Sequence, residues 1–142
     1  PMNHLDPTTW DNIIALNVTA NYRLIRSLDP LLKASDSGRA VFVTSRAAIH
    51  LNPFWGGYAA SKAALEVLVK TYAKEVQHTN IRVNLVDPGP QQTAIRAKAF
   101  PGENPNKLRK PDEMTGVFVD LAESNFGQNG KTFEAYPEIF PK

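Results

Sequence analysis

The chain contains no cysteine. Disulfides, thiolate catalysis and thiolate-bound zinc are therefore excluded, and the composition suits a reducing, cytoplasmic setting. Its three histidines, His4, His50 and His78, stand far apart without metal-ligand spacing, which fits capping or solvated roles. No apolar run approaches the roughly 18–20 residues of a membrane-spanning helix, and no signal-peptide pattern is present. Neither sign of charge dominates: 16 Lys and Arg face 14 Asp and Glu, for a net charge of +2. The one loose basic group, Lys98, Lys107, Arg109 and Lys110, has no aromatic interleaving and reads as a solvated loop, so no nucleic-acid partner is expected. The eight glycines never fall into a Gly-x-Gly-x-x-Gly pattern, the usual mark of a strand-to-helix turn that cradles a diphosphate.

What is present suits one domain over residues 1–142, since 42% of the residues are hydrophobic, enough for a packed core. Asp6-Pro7 is a helix start, and apolar residues at helical spacing predict a helix from Pro7 to Ala34, kinked at Pro30. Ala40 to Thr44 is short, apolar and β-branched, as in a strand buried on both faces of a parallel sheet. A helix is predicted over Tyr58–Gln77 and a strand over Ile81–Val86, followed by an irregular stretch from 90 to 110. A third helix opens at Pro111-Asp112-Glu113 and ends near Ser124, and a last short strand covers Gly130–Ala135. The order α, β, α, β, α, β predicts an α/β fold with parallel strands joined by helical crossovers.

Tyr58-Ala59-Ala60-Ser61-Lys62 is the most informative stretch. On a helix, Tyr58 and Lys62 share a face. An ammonium beside a phenol favours the phenolate and suits it to trade a proton with a hydroxyl or carbonyl near neutral pH. Ser45, thirteen positions earlier, ends the first strand, and Pro88, Gly89 and Thr93 follow the second. Ligands of parallel sheets collect at those carboxyl ends. Taken alone, Ser45 reads sooner as a turn hydroxyl that satisfies local backbone. Asn17 lies on an apolar helix stripe. It fits either a side chain bonded to nearby backbone or a helix distortion that frees a carbonyl to hold a water.

Taken together, Asn17-Val18, Thr44-Ser45, Tyr58-x-x-x-Lys62 and Pro88-Gly89-x-x-x-Thr93 resemble the ordered motifs of the short-chain dehydrogenase/reductase superfamily. The resemblance runs from Pro7 to about Ala135. Trp55–Lys62 and Thr93–Pro101 are most similar to a bacterial subgroup of uncharacterised oxidoreductases, the YciK-like proteins. It implies an NAD(P)-dependent oxidoreductase that moves hydride between a nicotinamide and a small alcohol or carbonyl substrate. In it Tyr58 would be the general acid/base, Lys62 would tune Tyr58 and hold the ribose, and Ser45 would bind the substrate oxygen. Asn17 would anchor a relay water through its backbone, and Pro88, Gly89 and Thr93 would cradle the nicotinamide end of NAD or NADP.

The same resemblance implies a partial Rossmann fold: three C-terminal parallel strands with flanking helices, the cofactor-binding half lying outside this chain. It sets Gln92 where the subgroup commonly has arginine, and the tail from Tyr136-Pro137 lacks the usual glycine pair, which would shorten the last strand. The first strand would then present a bare apolar edge. Pairing of the two long helices implies a homo-dimer or homo-tetramer. The rival expectation is a non-catalytic helix-pairing fragment that binds no cofactor.

Overall fold

The computed structural model describes residues 1–135. The first helix is α1 (Pro7–Ile14) and α2 (Ala20–Ala34), joined by a π-helical turn over Ala15–Thr19. Asp6 caps it by accepting the Thr9 N–H at 2.8 Å, with Pro7 in the first turn. The regular α-helical pattern is interrupted at the π turn, and it runs on through Pro30. Pro30 is exposed, so the carbonyl that its missing N–H leaves unbonded can be solvated, and α2 continues to Ala34.

Strand β1 (Arg39–Val43) follows, then a one-turn helix α3 (Ala47–His50) and the long helix α4 (Gly56–Glu75). Strand β2 (Arg82–Asp87) comes next. The stretch from 90 to 110 is less irregular than its sequence suggests: it holds α5 (Ala94–Ala99) and a 3-10 turn over Pro105–Lys107. Thr93 caps α5 by accepting the Arg96 N–H. A 3-10 turn over Pro111–Met114 leads into α6 (Thr115–Ala122) and then β3 (Thr132–Glu134). The tail from Tyr136 lies outside the described residues.

The sheet has the order β1-β2-β3, all parallel. Central β2 is buried from Val83 to Asp87, whereas β1 is only half-buried and its Val43 is exposed. The expectation that β1 is covered on both faces is thus corrected: among the described residues β1 pairs only with β2. An open groove of about 420 Å³ runs along that side, lined by Leu24, Ile25, Leu28, Leu32, Ala40 and Phe42 among others.

The core joins α4 to β2. Leu65, Val69, Tyr72, Ala73 and Val76 pack on Ile81, Val83 and Leu85. Side chains satisfy backbone where strands begin. Arg39 donates to the carbonyls of Glu123 and Ser124, and Arg82 to those of Thr79 and Gly127. Buried Asn84 donates to Gln128 O and accepts from the Lys131 N–H. These bonds close the amino end of the sheet and leave the loops at its carboxyl end to carry chemistry.

Candidate active site

Helix α4 and the end of β1 meet at Lys62. Its Nζ donates to the Val43 carbonyl at 2.9 Å and lies 5.8 Å from the centre of the Tyr58 ring, within cation–π range. Burial pushes the Lys62 ammonium below its ordinary pKa, because a charge taken out of water loses solvation. One turn further along, the buried Thr44 hydroxyl donates to Glu66 Oε1 at 2.8 Å, and Glu66 Oε2 accepts from Lys70. Two α4 side chains thus grip residues 43 and 44, and Ser45 comes next. The Ser45 hydroxyl is half-buried and accepts the Ala47 N–H at 3.2 Å. The turn role that the sequence left open for Ser45 is therefore present.

Asn17 sits in the π turn, so the distortion expected of it is observed. Its carbonyl is not free: the Asn21 side-chain amide donates to it at 2.9 Å. A carbonyl oxygen accepts through two lone pairs, so the Asn21 bond alone does not fill it. The Asn17 side chain does not bond neighbouring backbone. Its Nδ2 donates to Ser61 Oγ at 3.0 Å, and the fully buried Ser61 hydroxyl donates to the Tyr58 carbonyl at 2.7 Å. A continuous chain of bonds therefore ties the π turn to the first turns of α4, where Tyr58 sits. Gly57 allows the close approach: a Cβ there would stand 2.9 Å from Leu5 Cδ2.

Trp55 precedes α4 and packs edge-on against Tyr58, with ring centres 5.7 Å apart. Its face stacks on Phe100 at 5.5 Å. Arg96 lies 3.7 Å over the other ring in this stack, that of Phe100, and forks onto both oxygens of Glu103 at 2.6 and 2.7 Å. Arg96 holds the Glu103 carboxyl below its ordinary pKa. The segment 94–103 is thereby bound to the neighbour of Tyr58 through aromatic faces. Ile95, in contrast, is exposed.

Pro88 and Gly89 form the turn after β2, with Gly89 at φ +66°, a conformation that favours glycine. Thr93 is exposed at the start of α5. Lys62 and the end of β1 lie together, while Pro88-Gly89 and Thr93 follow the neighbouring strand. Ser61, Asn21, Glu66 and the Trp55–Phe100 stack were missed at the level of sequence. Only Asn21 carried a signal, as an amide one helical turn after Asn17.

A nicotinamide cofactor fits this arrangement at one end only. A half-buried ammonium and a left-handed glycine turn stand at the carboxyl edge of a parallel sheet. The sequence of this chain contains no glycine-rich diphosphate turn.

Comparison with known proteins accounts for the pattern. The short chain dehydrogenase family model matches residues 1–104. The uncharacterized oxidoreductase YciK of Escherichia coli K12 is 38% identical over 138 residues, covering 96% of this chain and 54% of that protein. The chloroplastic NADPH-dependent aldehyde reductase-like protein of Arabidopsis thaliana is 34% identical over 130 residues, 92% of this chain and 44% of that protein. The chain therefore spans about half the length of these curated relatives. Among solved structures, a short chain dehydrogenase of Salmonella enterica serovar Typhi CT18 superposes with a TM-score of 0.92 at 38% identity, over 96% of this chain and 57% of that one. A short chain dehydrogenase of Escherichia coli CFT073, complexed with NADPH, gives 0.91 at 39% identity over 96% and 57%. With its parallel α/β sheet and its Tyr58–Lys62 helix seated against the end of β1, this chain belongs to the short-chain dehydrogenase family.

Proposed function

We propose that the protein is an NAD(P)-dependent oxidoreductase acting on a small alcohol or carbonyl compound, and that this chain carries its proton-handling half. The observation that carries the reading is the Lys62 ammonium, bonded to the strand end that leads into Ser45 and within reach of the Tyr58 ring. Tyr58 passes the proton to or from the substrate oxygen. Lys62 supplies the adjacent positive charge, and its donors suit the ribose hydroxyls of a nicotinamide nucleotide. Ser45 donates a hydrogen bond to the substrate oxygen as charge develops there. Asn17 holds a relay water through its backbone carbonyl. Pro88, Gly89 and Thr93 hold the nicotinamide end. NAD or NADP, when bound, supplies or accepts the hydride. Residues outside this chain would hold the diphosphate, so the chain is read as the C-terminal part of a Rossmann-fold domain working in the cytoplasm.

Tyr58→Phe in the complete protein is expected to lower nicotinamide-linked turnover by about 10²–10⁴-fold with the fold unchanged. Undiminished turnover would reject the role given to Tyr58.

A second reading, a helix-pairing module without cofactor, is favoured by one observation: Leu16 and Val67, on the two long helical segments, are 71% and 68% exposed. The same surface supports a homo-dimer or homo-tetramer of the enzyme. Calorimetry of this chain with NAD and NADP separates the readings, because micromolar binding defeats the cofactor-free module. Sedimentation tests the assembly.

A further inference from the structure

Three charged residues stand at the carboxyl edge of the sheet outside the Tyr58–Lys62 pair. Arg46 follows Ser45, Asp87 ends β2 immediately before Pro88-Gly89, and Glu134 ends β3. Arg46 Nη2 donates to Glu134 Oε2 at 2.5 Å, and its Nε lies 3.6 Å from Asp87 Oδ2. The other Asp87 oxygen, Oδ1, accepts the Gly89 N–H at 2.9 Å. The Asp87 side chain is 7% exposed and that of Arg46 is 19% exposed. One buried carboxylate is thus shared between the turn after β2 and Arg46, which meets it with its backbone N–H as well as its guanidinium, and that guanidinium also reaches the end of β3.

Stability explains this arrangement poorly. Burial pushes the Asp87 carboxyl above its ordinary pKa, with the Gly89 N–H and Arg46 offsetting part of that cost. Buried ion pairs commonly give no net stabilisation over apolar residues of similar volume. What such a pair does supply is fixed geometry, because each partner must hold its place to keep the other satisfied. Here the parts held in place are two loops. One carries Ser45. The other is a glycine turn whose left-handed backbone the Asp87 carboxylate caps directly.

We infer that Arg46 and Asp87 are positioning residues that lock the Pro88-Gly89 turn to the Ser45 loop, and so set the nicotinamide ring against the substrate carbon whose oxygen Ser45 holds. The inference rests on the proposed function, which puts the two halves of the hydride transfer on these two loops. Neither residue touches the reacting atoms. Their effect runs through the backbone they hold, and small errors of placement at a hydride-transfer distance are costly.

Two measurements test this. In the 15N-labelled 142-residue chain, the Gly89 amide proton is expected downfield, as for an N–H bonded to a carboxylate. Asp87→Ala should move it upfield and Asp87→Asn should largely retain it. Arg46→Met should move both the Gly89 and Ser45 amide resonances. A Gly89 resonance indifferent to Arg46→Met would show that the Arg46 guanidinium does not couple the two loops and would overturn the inference.

In the complete protein, Arg46→Met and Asp87→Ala are expected to weaken NADPH binding about tenfold, while 2′-phospho-ADP-ribose, which lacks the nicotinamide, binds as before. Equal weakening of both ligands, or of neither, also overturns it. Failure of the wild-type protein to bind NADPH or NADH would instead sink the proposed function. The coupling of the two loops is still decided by the amide resonances in that event.

Discussion

Helix α4 and strand β2 differ sharply from α1, α2 and β1, although all are apolar in sequence. Helix α4 buries seven of its residues and β2 buries five of six, whereas α1, the π turn and α2 bury none. Leu24, Leu28 and Leu31 of α2 are 52%, 44% and 67% exposed. In the first region β2 lies between two strands, and α4 seats on it. The second has a strand with one neighbour and a helix over an open groove. Apolar pattern states which face wants burial, and the neighbours available decide whether it is buried. Across the seam between the two regions, Lys62 bonds Val43 and Asn17 bonds Ser61.

The comparison can be broken most forcefully in the core. Leu85, fully buried at the centre of β2, should cost about 2–5 kcal/mol when changed to Ala, while Leu28→Ala should cost less than about 1 kcal/mol. Urea denaturation of the two variants measures the difference, and equal losses would mean that the α2 side is packed in solution. The seam comes next. Ser61→Ala leaves the Asn17 amide without its acceptor and should cost about 1–3 kcal/mol. In the complete protein it should also lower turnover, because the first turn of α4 loses its tie.

A smaller effect sits at the outer margin of the core. The Tyr72 hydroxyl donates to Asp29 Oδ1 at 3.0 Å, and burial, then Asp29, push its pKa up to about 12. A raised folded pKa means that this stabilisation is complete below pH 10 and is lost as pH rises from 10 to about 12. Thermal melts across that window should fall by about 1–2 kcal/mol more for the wild type than for Tyr72→Phe. The smallest effect on stability is at the open edge. Val43→Lys should shift stability by less than about 0.5 kcal/mol yet reduce concentration-dependent association, because a charged edge strand resists pairing. Unchanged sedimentation would show that this edge takes no part in assembly.

Much of the fold could be read before any coordinates. Parallel strands and the long helices follow from the spacing of apolar residues and from caps such as Asp6-Pro7, which are local signals. Helix α5 and the one-turn α3 were not legible, because proline- and glycine-rich stretches carry no periodicity to mark a short helix. The π turn was legible only as the misplaced amide of Asn17. The Arg46–Asp87 pair was invisible for a different reason: its partners lie 41 positions apart, and nothing local to either residue points to the other.

By itself the sequence determined the long helices and the strands, where the phenol and ammonium share a helix face, and which ends of the strands carry polar groups. These depend on contacts within a few residues, which composition and spacing encode directly. Tertiary structure decided that Lys62 reaches the backbone of β1, that Ser61 links Asn17 to Tyr58, and that a stacked loop seats Phe100 on Trp55. Apart from the local Ser61–Tyr58 bond, those contacts join residues 19 to 45 positions apart, and only tertiary packing brings such distant groups within hydrogen-bonding or ring-stacking range.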